Sequence, residues 1–172
     1  MQAQTPPAPN TVVQTGNLAI GSASAEQSTV VSAAGDISMS ASGQILVRGS
    51  DTTAGASSVV RGGGDLDFSA GSVALVGGAA PESSAWILGY SDINLTVGGF
   101  ITLGAGTGLD SWARVQTASR DSVITLNFPN LASGGYFVNG IEGLLRDGHT
   151  GFLSGTGVAA PGHQLITIYG AP

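Results

Sequence analysis

Four segments of the chain superimpose when aligned on a glycine: GNLAIG from Gly16, GQILVRG from Gly43, GSVALVGG from Gly71 and GFITLGAG from Gly99, at intervals of 27, 28 and 28 residues. Each carries apolar residues two and four places after its glycine: Leu18 and Ile20, Ile45 and Val47, Val73 and Leu75, Ile101 and Leu103. A period of two predicts a half-buried strand; an amphipathic helix would repeat every 3.6 residues. A second set, GDISMSA, GDLDFSA, SDINLTV and RDSVITL, leads these strands from Asp36, Asp65, Asp92 and Asp121, at intervals of 29, 27 and 29. Behind the first three aspartates stand Ile37 and Met39, Leu66 and Phe68, Ile93 and Leu95. The fourth copy is looser, with Ser122 where an apolar residue is expected and Ile124 recovering the phase. A third apolar position, near Val30, Val59, Ile87 and Val115, closes each lap.

Three short strands in about 28 residues cannot bury their own inward faces, but stacked laps can, each strand pairing with its copy one lap away at about 4.8 Å. The pattern therefore predicts an all-β, right-handed parallel β-solenoid (β-helix) of about four laps over residues 16–125. Solenoid ends expose strand edges that need covering. Residues 1–15, in which TPPAPN leads into Thr11 to Gln14 with Val12 and Val13, are expected to form an extended tail or cap strand. From residue 126 the repeats stop and aromatics gather: Phe128, Tyr136, Phe137, Phe152 and Tyr169. Asn139-Gly140 between GYFV and IEGLL predicts a hairpin, Asp147-Gly148 a second turn, and GFLSGTGVAA and QLITIYG further strands. Residues 126–172 are expected to be a small antiparallel β cap.

Composition narrows the function. Of 172 residues only 9% are charged, the net charge is −6, and all five basic residues are arginines: Arg48, Arg61, Arg114, Arg120 and Arg146. So little positive charge argues against nucleic acid and anionic membranes as partners. No apolar run approaches the roughly 20 residues of a membrane span. Cysteine is absent, so disulfides, thiolate metal sites and cysteine nucleophiles are excluded together. MQAQTPPAPN has neither the basic region nor the apolar core of a signal peptide, and reads as the start of a mature or excised segment.

The candidate chemistry is sparse. GGGDLD at 62–67 lacks the following helix that a dinucleotide fingerprint needs, as does GAGTGLD at 104–110, and calcium-binding nonapeptides recur every nine residues, not every 28. A column of Asp36, Asp65, Asp92 and Asp121 at one corner could hold Ca²⁺ or supply paired acids for glycoside hydrolysis. Against this, an Asp after Gly or Ser at a turn serves to accept backbone N–H hydrogen bonds, and hydrolase clefts add aromatic or basic groups beside their acids. Asp67 is the only extra acid in these strands. His149 and His163 occupy turn contexts, with Glu142 and Asp147 as the nearest acids for a zinc site. No GxSxG elbow exists. Trp86 and Trp112 recur at similar places in successive laps, either as a sugar-stacking pair or as cover for the solenoid edge. No catalytic, cofactor or metal residues are assigned. The candidate interaction residues are Trp86, Trp112, Tyr136, Phe137, Val12 and Val13.

The laps GDISMSASGQILVRG and SDINLTVGGFITLGAG, with their G-D/N-I-x-[LM]-x-[AV] strand followed by G-x-[IV]-x-[LV], resemble the repeats of bacterial filamentous haemagglutinin-type exoproteins, the β-helical adhesins exported by two-partner secretion. The resemblance covers roughly residues 16–125, and the tail from NFPNLASGGYFVNGIEG to GHQLITIYG is similar to C-terminal segments of such exoproteins. Family members run to thousands of residues and open with a secretion domain not found here. The resemblance implies display at a Gram-negative cell surface or secretion, adhesion and fibre formation, with no catalytic residues to carry over. The expected function is an extracellular structural or adhesive solenoid, joined end to end through its tail or bound to a surface glycan or host receptor. The alternatives are a carbohydrate-binding or polysaccharide-degrading module using the aspartates and tryptophans, and a passive cap of a longer adhesin.

Overall fold

The computed structural model describes residues 10–104, 106–118, 122–129, 135–139, 141–142, 150–155 and 166–170. These form fifteen strands and no helix: β1 (Asn10–Gln14), β2 (Leu18–Ile20), β3 (Thr29–Ala33), β4 (Ile37–Arg48), β5 (Ser58–Gly62), β6 (Leu66–Val76), β7 (Ala85–Gly89), β8 (Ile93–Val97), β9 (Phe100–Gly104), β10 (Trp112–Thr117), β11 (Ile124–Phe128), β12 (Gly135–Asn139), β13 (Ile141–Glu142), β14 (Thr150–Gly155) and β15 (Ile166–Gly170). They wind into a β-solenoid of about four turns. One sheet of nine strands holds the order β1-β4-β6-β8-β11-β15, with β2, β9 and β12 beside it. A second sheet of six runs β13-β14-β10-β7-β5-β3. Each lap contributes three strand segments, and in two laps the first pair fuse into the long strands β4 and β6, whose mutual register shifts between Ala41 and Gln44.

The registers turn the sequence repeats into rows. Leu18, Ile45, Val73 and Ile101 stack, as do Ile20, Val47, Leu75 and Leu103. Beside them run Ile37, Leu66, Ile93 and Ile124, and Met39, Phe68, Leu95 and Leu126. Nearly all of these are fully buried in a single core. Removing one large member, as in Phe68→Ala, opens a cavity that neighbouring laps cannot fill without sliding.

The third row differs from expectation. Val31, Val60, Ile87 and Val115 share the inward register, whereas Val30 and Val59 lie in the outward row with Trp86 and Arg114. Val60, Ile87 and Val115 are fully buried and Val30 is 55% exposed. In both laps two valines stand side by side, so alternation alone could not choose the phase. Pairing with β7 chooses it.

The ends are partly as expected. Of residues 1–15, Asn10–Gln14 is a strand that pairs in parallel with the first half of β4 and, among the described residues, ends its sheet; residues 1–9 lie outside the described residues. Of the segment 126–172, read as an antiparallel cap, β11, β12 and β15 instead continue the parallel ladders, on β8, β9 and β11 respectively. Among the described residues antiparallel pairing is confined to β14, which runs against β10, and to β13 against β14. β12 and β13, which flank Asn139-Gly140, enter different sheets instead of pairing as the expected hairpin; Gly140 itself, and the second turn expected at Asp147-Gly148, lie outside the described residues. The lap geometry outlasts the glycine-anchored motif: parallel pairing needs only a matching inward row, which a lap can supply with altered turns. Reversal of β14 leaves the six-stranded sheet ending in a two-residue strand, a shorter edge than β10 would present.

Candidate functional site

The aspartate corner forms a ladder through the backbone. Asp36 Oδ1 accepts the N–H of Asp65 at 2.9 Å, Asp65 Oδ1 that of Asp92 at 3.2 Å, and Asp92 Oδ1 that of Val123 at 2.8 Å. Each carboxylate thus ties its turn to the turn one lap on. The fourth place belongs to Val123, not Asp121, because the register sets Ile124 opposite Ile93. From Asp92 to Val123 is 31 residues, against 29 and 27 for the two laps before it, which is how Ile124 recovers the inward phase; Asp121 lies outside the described residues. The GGGDLD stretch follows from the same ladder. A Cβ on Gly64 would collide with Asp36 Oδ1, so the corner needs glycine for the carboxylate to approach.

A parallel ladder of hydroxyls escaped the sequence reading. Ser28 Oγ accepts the N–H of Ser57 at 3.2 Å, Ser57 Oγ that of Ser84 at 2.9 Å, and Ser84 Oγ that of Trp112 at 3.0 Å. Ser57 also donates to the Glu82 carbonyl at 2.9 Å. The 29- and 27-residue spacings of Ser28, Ser57 and Ser84 match those of the aspartates and were the available signal, hidden by the abundance of serine. At a third corner Arg48 Nη2 donates to Asp51 Oδ2 at 2.6 Å, and Asp51 Oδ1 accepts the N–H of Ala79 at 2.9 Å. The Ala79 N–H and then the Arg48 guanidinium hold the Asp51 carboxyl below its ordinary 3.8.

Trp86 and Trp112 do come together, though not as equivalents. Trp86 sits opposite Arg114, and Trp112 stands two residues earlier on β10. The Arg114 guanidinium lies 4.9 Å from the Trp86 ring centroid and 5.9 Å from that of Trp112. It also donates to Gln116 Oε1 at 3.1 Å. Burial lowers the Arg114 pKa below that of a free guanidinium, and the Trp86 Nε1 and Arg114 Nε atoms are buried without a hydrogen-bond partner. The cation over the indole faces offsets part of that cost. With Val59 on one side and Arg114 on the other, Trp86 is a stacked rung of the outer row. This arrangement favours edge cover over sugar stacking.

On the nine-stranded sheet the outward positions of the first halves of β4 and β6, with β8 and β11, are polar: Ser38, Asp67, Asn94 and Thr125 form one row, and Ser40, Ser69, Thr96 and Asn127 the next. A shallow cavity of about 160 Å³ lies there, lined by Ser38, Met39, Asp67, Phe68, Ser69, Asn94 and Thr96. Asn94 Nδ2 donates to Asp67 Oδ1 at 2.8 Å.

The remaining candidates separate. Val12 and Val13 are 38% and 72% exposed on β1. Tyr136 and Phe137 occupy the register positions of Ile101 and Thr102 on β12. His149, His163 and Asp147 lie outside the described residues. Among the described residues no three His, Cys, Asp or Glu side chains gather as metal ligands, and no helix is long and apolar enough to cross a membrane. No family model, curated protein or solved structure matches the chain.

Proposed function

We propose that this chain is a structural and adhesive β-solenoid element of a bacterial exterior, extended along its axis by edge-to-edge joining at its N-terminal end. One observation carries the reading: among the described residues the core is left open at that end. Row members in the middle laps are fully buried, yet Val12 is 38% exposed, and Leu18, Val31 and Ala33 are only partly covered. Among the described residues no strand lies beyond β1, β2 or β3. Strand edges above uncovered apolar rows are templates for a further lap, here from a second copy. The use of the aspartates as backbone ties and of the tryptophans as arginine clasps supports a structural role for both sets. Electron microscopy of the purified chain across a concentration series tests the joint. End-to-end oligomers or filaments are expected, and a Val12→Lys, Val31→Lys double variant, which puts charge on the open rows, should abolish them. Monodisperse particles of the unaltered chain at every concentration would sink the proposal.

A further inference from the structure

We infer that the outward face of the nine-stranded sheet, centred on Asp67, Asn94, Ser69 and Thr96, binds a neutral, hydroxyl-rich glycan. This rests on the adhesive part of the reading above and names its ligand. The cavity of about 160 Å³ is smaller than the roughly 300 Å³ of an enclosing pocket, so it accepts the face of a sugar ring, not a whole small molecule. The outward rows repeat at about 4.8 Å along the solenoid axis and about 6.6 Å along each strand, a lattice over which successive sugar units of a chain can lie. Serine and threonine hydroxyls both donate and accept, the Asn94 amide does both, and Asp67 accepts, so every hydroxyl of a pyranose finds a complement. The Asn94 to Asp67 hydrogen bond fixes both side chains before a ligand arrives and leaves the second carboxylate oxygen available.

Charge selects the class of glycan. Among the described residues Asp67 is the only ionisable side chain lining the cavity and no arginine lines it, and the chain carries a net charge of −6. Uronate or sulfate groups would meet a carboxylate with no compensating cation, while neutral saccharides meet only hydrogen-bonding groups. Phe68, the aromatic residue lining the cavity, is buried and gives no stacking platform, so the single-site affinity is low, and binding is gained by contact over several laps and several copies.

The test displays the full chain multivalently against immobilised dextran, mannan, β-glucan and chitooligosaccharides, with hyaluronan and heparin as acidic comparators. At least one neutral polymer should be retained and neither acidic one. Asn94→Ala should weaken retention about tenfold, the effect of losing a hydrogen-bonding group together with its positioning of Asp67. Ser69→Trp, an outward change that fills the cavity, should abolish it while circular dichroism stays that of the parent. Asp67→Asn keeps the acceptor, so neutral retention should persist within a few-fold while hyaluronan becomes admissible. Retention of acidic polymers only, of no polymer, or retention unchanged by both Asn94→Ala and Ser69→Trp overturns the inference. Filament formation is read separately by microscopy: filaments without glycan retention would remove this site and leave the end-to-end joint standing.

Discussion

At the scale of single residues, the corners hold most of the specific chemistry. Asp65 both accepts the Asp92 N–H through its side chain and offers its carbonyl to Ile37 at 2.9 Å, so one residue joins three laps. Asp65→Ala should therefore cost about 1 kcal/mol in chemical denaturation, and Asp65→Asn clearly less, since the amide oxygen still accepts. Glu82 and Asp110 have φ of 57° and 53°, in the left-handed region, at the corner place that Gly55 fills in the lap below with φ of 74°. A residue with a Cβ is strained there by about 1 kcal/mol, so Glu82→Gly should leave the protein unchanged or stabilise it by up to that amount, against the usual effect of glycine. Asp51 supplies a pH dependence. Its folded pKa lies below 3.8, so its contribution is fully present above that value and is lost as pH falls through the lower folded value. Acid unfolding curves of the parent and of Asp51→Asn should accordingly converge at low pH and separate above it.

At the scale of elements, close stacking of corners decides what each turn tolerates. A Cβ on Gly78 would collide with the Ser50 carbonyl, and one on Gly106 with the Gly78 carbonyl, so both places require glycine, where laps meet backbone to backbone. Gly78→Ala should destabilise by about 3 kcal/mol, measured by thermal or denaturant unfolding, because backbone cannot step aside as a flexible side chain would. Strand length follows the same logic. β4 and β6 run through the corner that Gly98 and Gly99 interrupt between β8 and β9. The alternation of apolar residues made each strand legible, yet Val30-Val31 and Val59-Val60 satisfied either phase, and the tryptophans aligned by spacing are offset by two residues in register. Local pattern leaves such ambiguities open, and the neighbouring strand resolves them.

At the scale of the whole molecule, a solenoid is nearly one-dimensional: each lap touches only its neighbours, and stability is close to a sum over laps and their interfaces. Deleting residues 65–91 would join Gly64 to Asp92 and place β4 against β8 and β9, with Ile37 meeting Ile93, Met39 meeting Leu95 and Val47 meeting Leu103. All of these pairs are apolar and buried. The shortened chain should stay folded and lose one lap, about 4.8 Å of length, by circular dichroism and small-angle scattering. Loss of the β-sheet signal would show that the laps are less interchangeable than their rows suggest. The partly covered apolar rows at β1 to β3 and the polar outer rows on β4, β6, β8 and β11 belong to this scale too, since neither exists in any single lap.

The sequence by itself determined the strand period, the lap length near 28 residues and most of the inward rows, because these depend on alternation and repetition that any one lap already displays. The role of the first three aspartates was also legible, as turn residues that accept backbone N–H groups. Tertiary structure alone decided the phase of the third row, the replacement of Asp121 by Val123 in the ladder, the serine ladder, and the clasp of Arg114 by two tryptophans. It also decided that β11, β12 and β15 carry the solenoid on while β14 reverses. Each of these rests on which residue stands opposite which across an interlap distance, and turns of slightly different length shift that register without changing the local pattern.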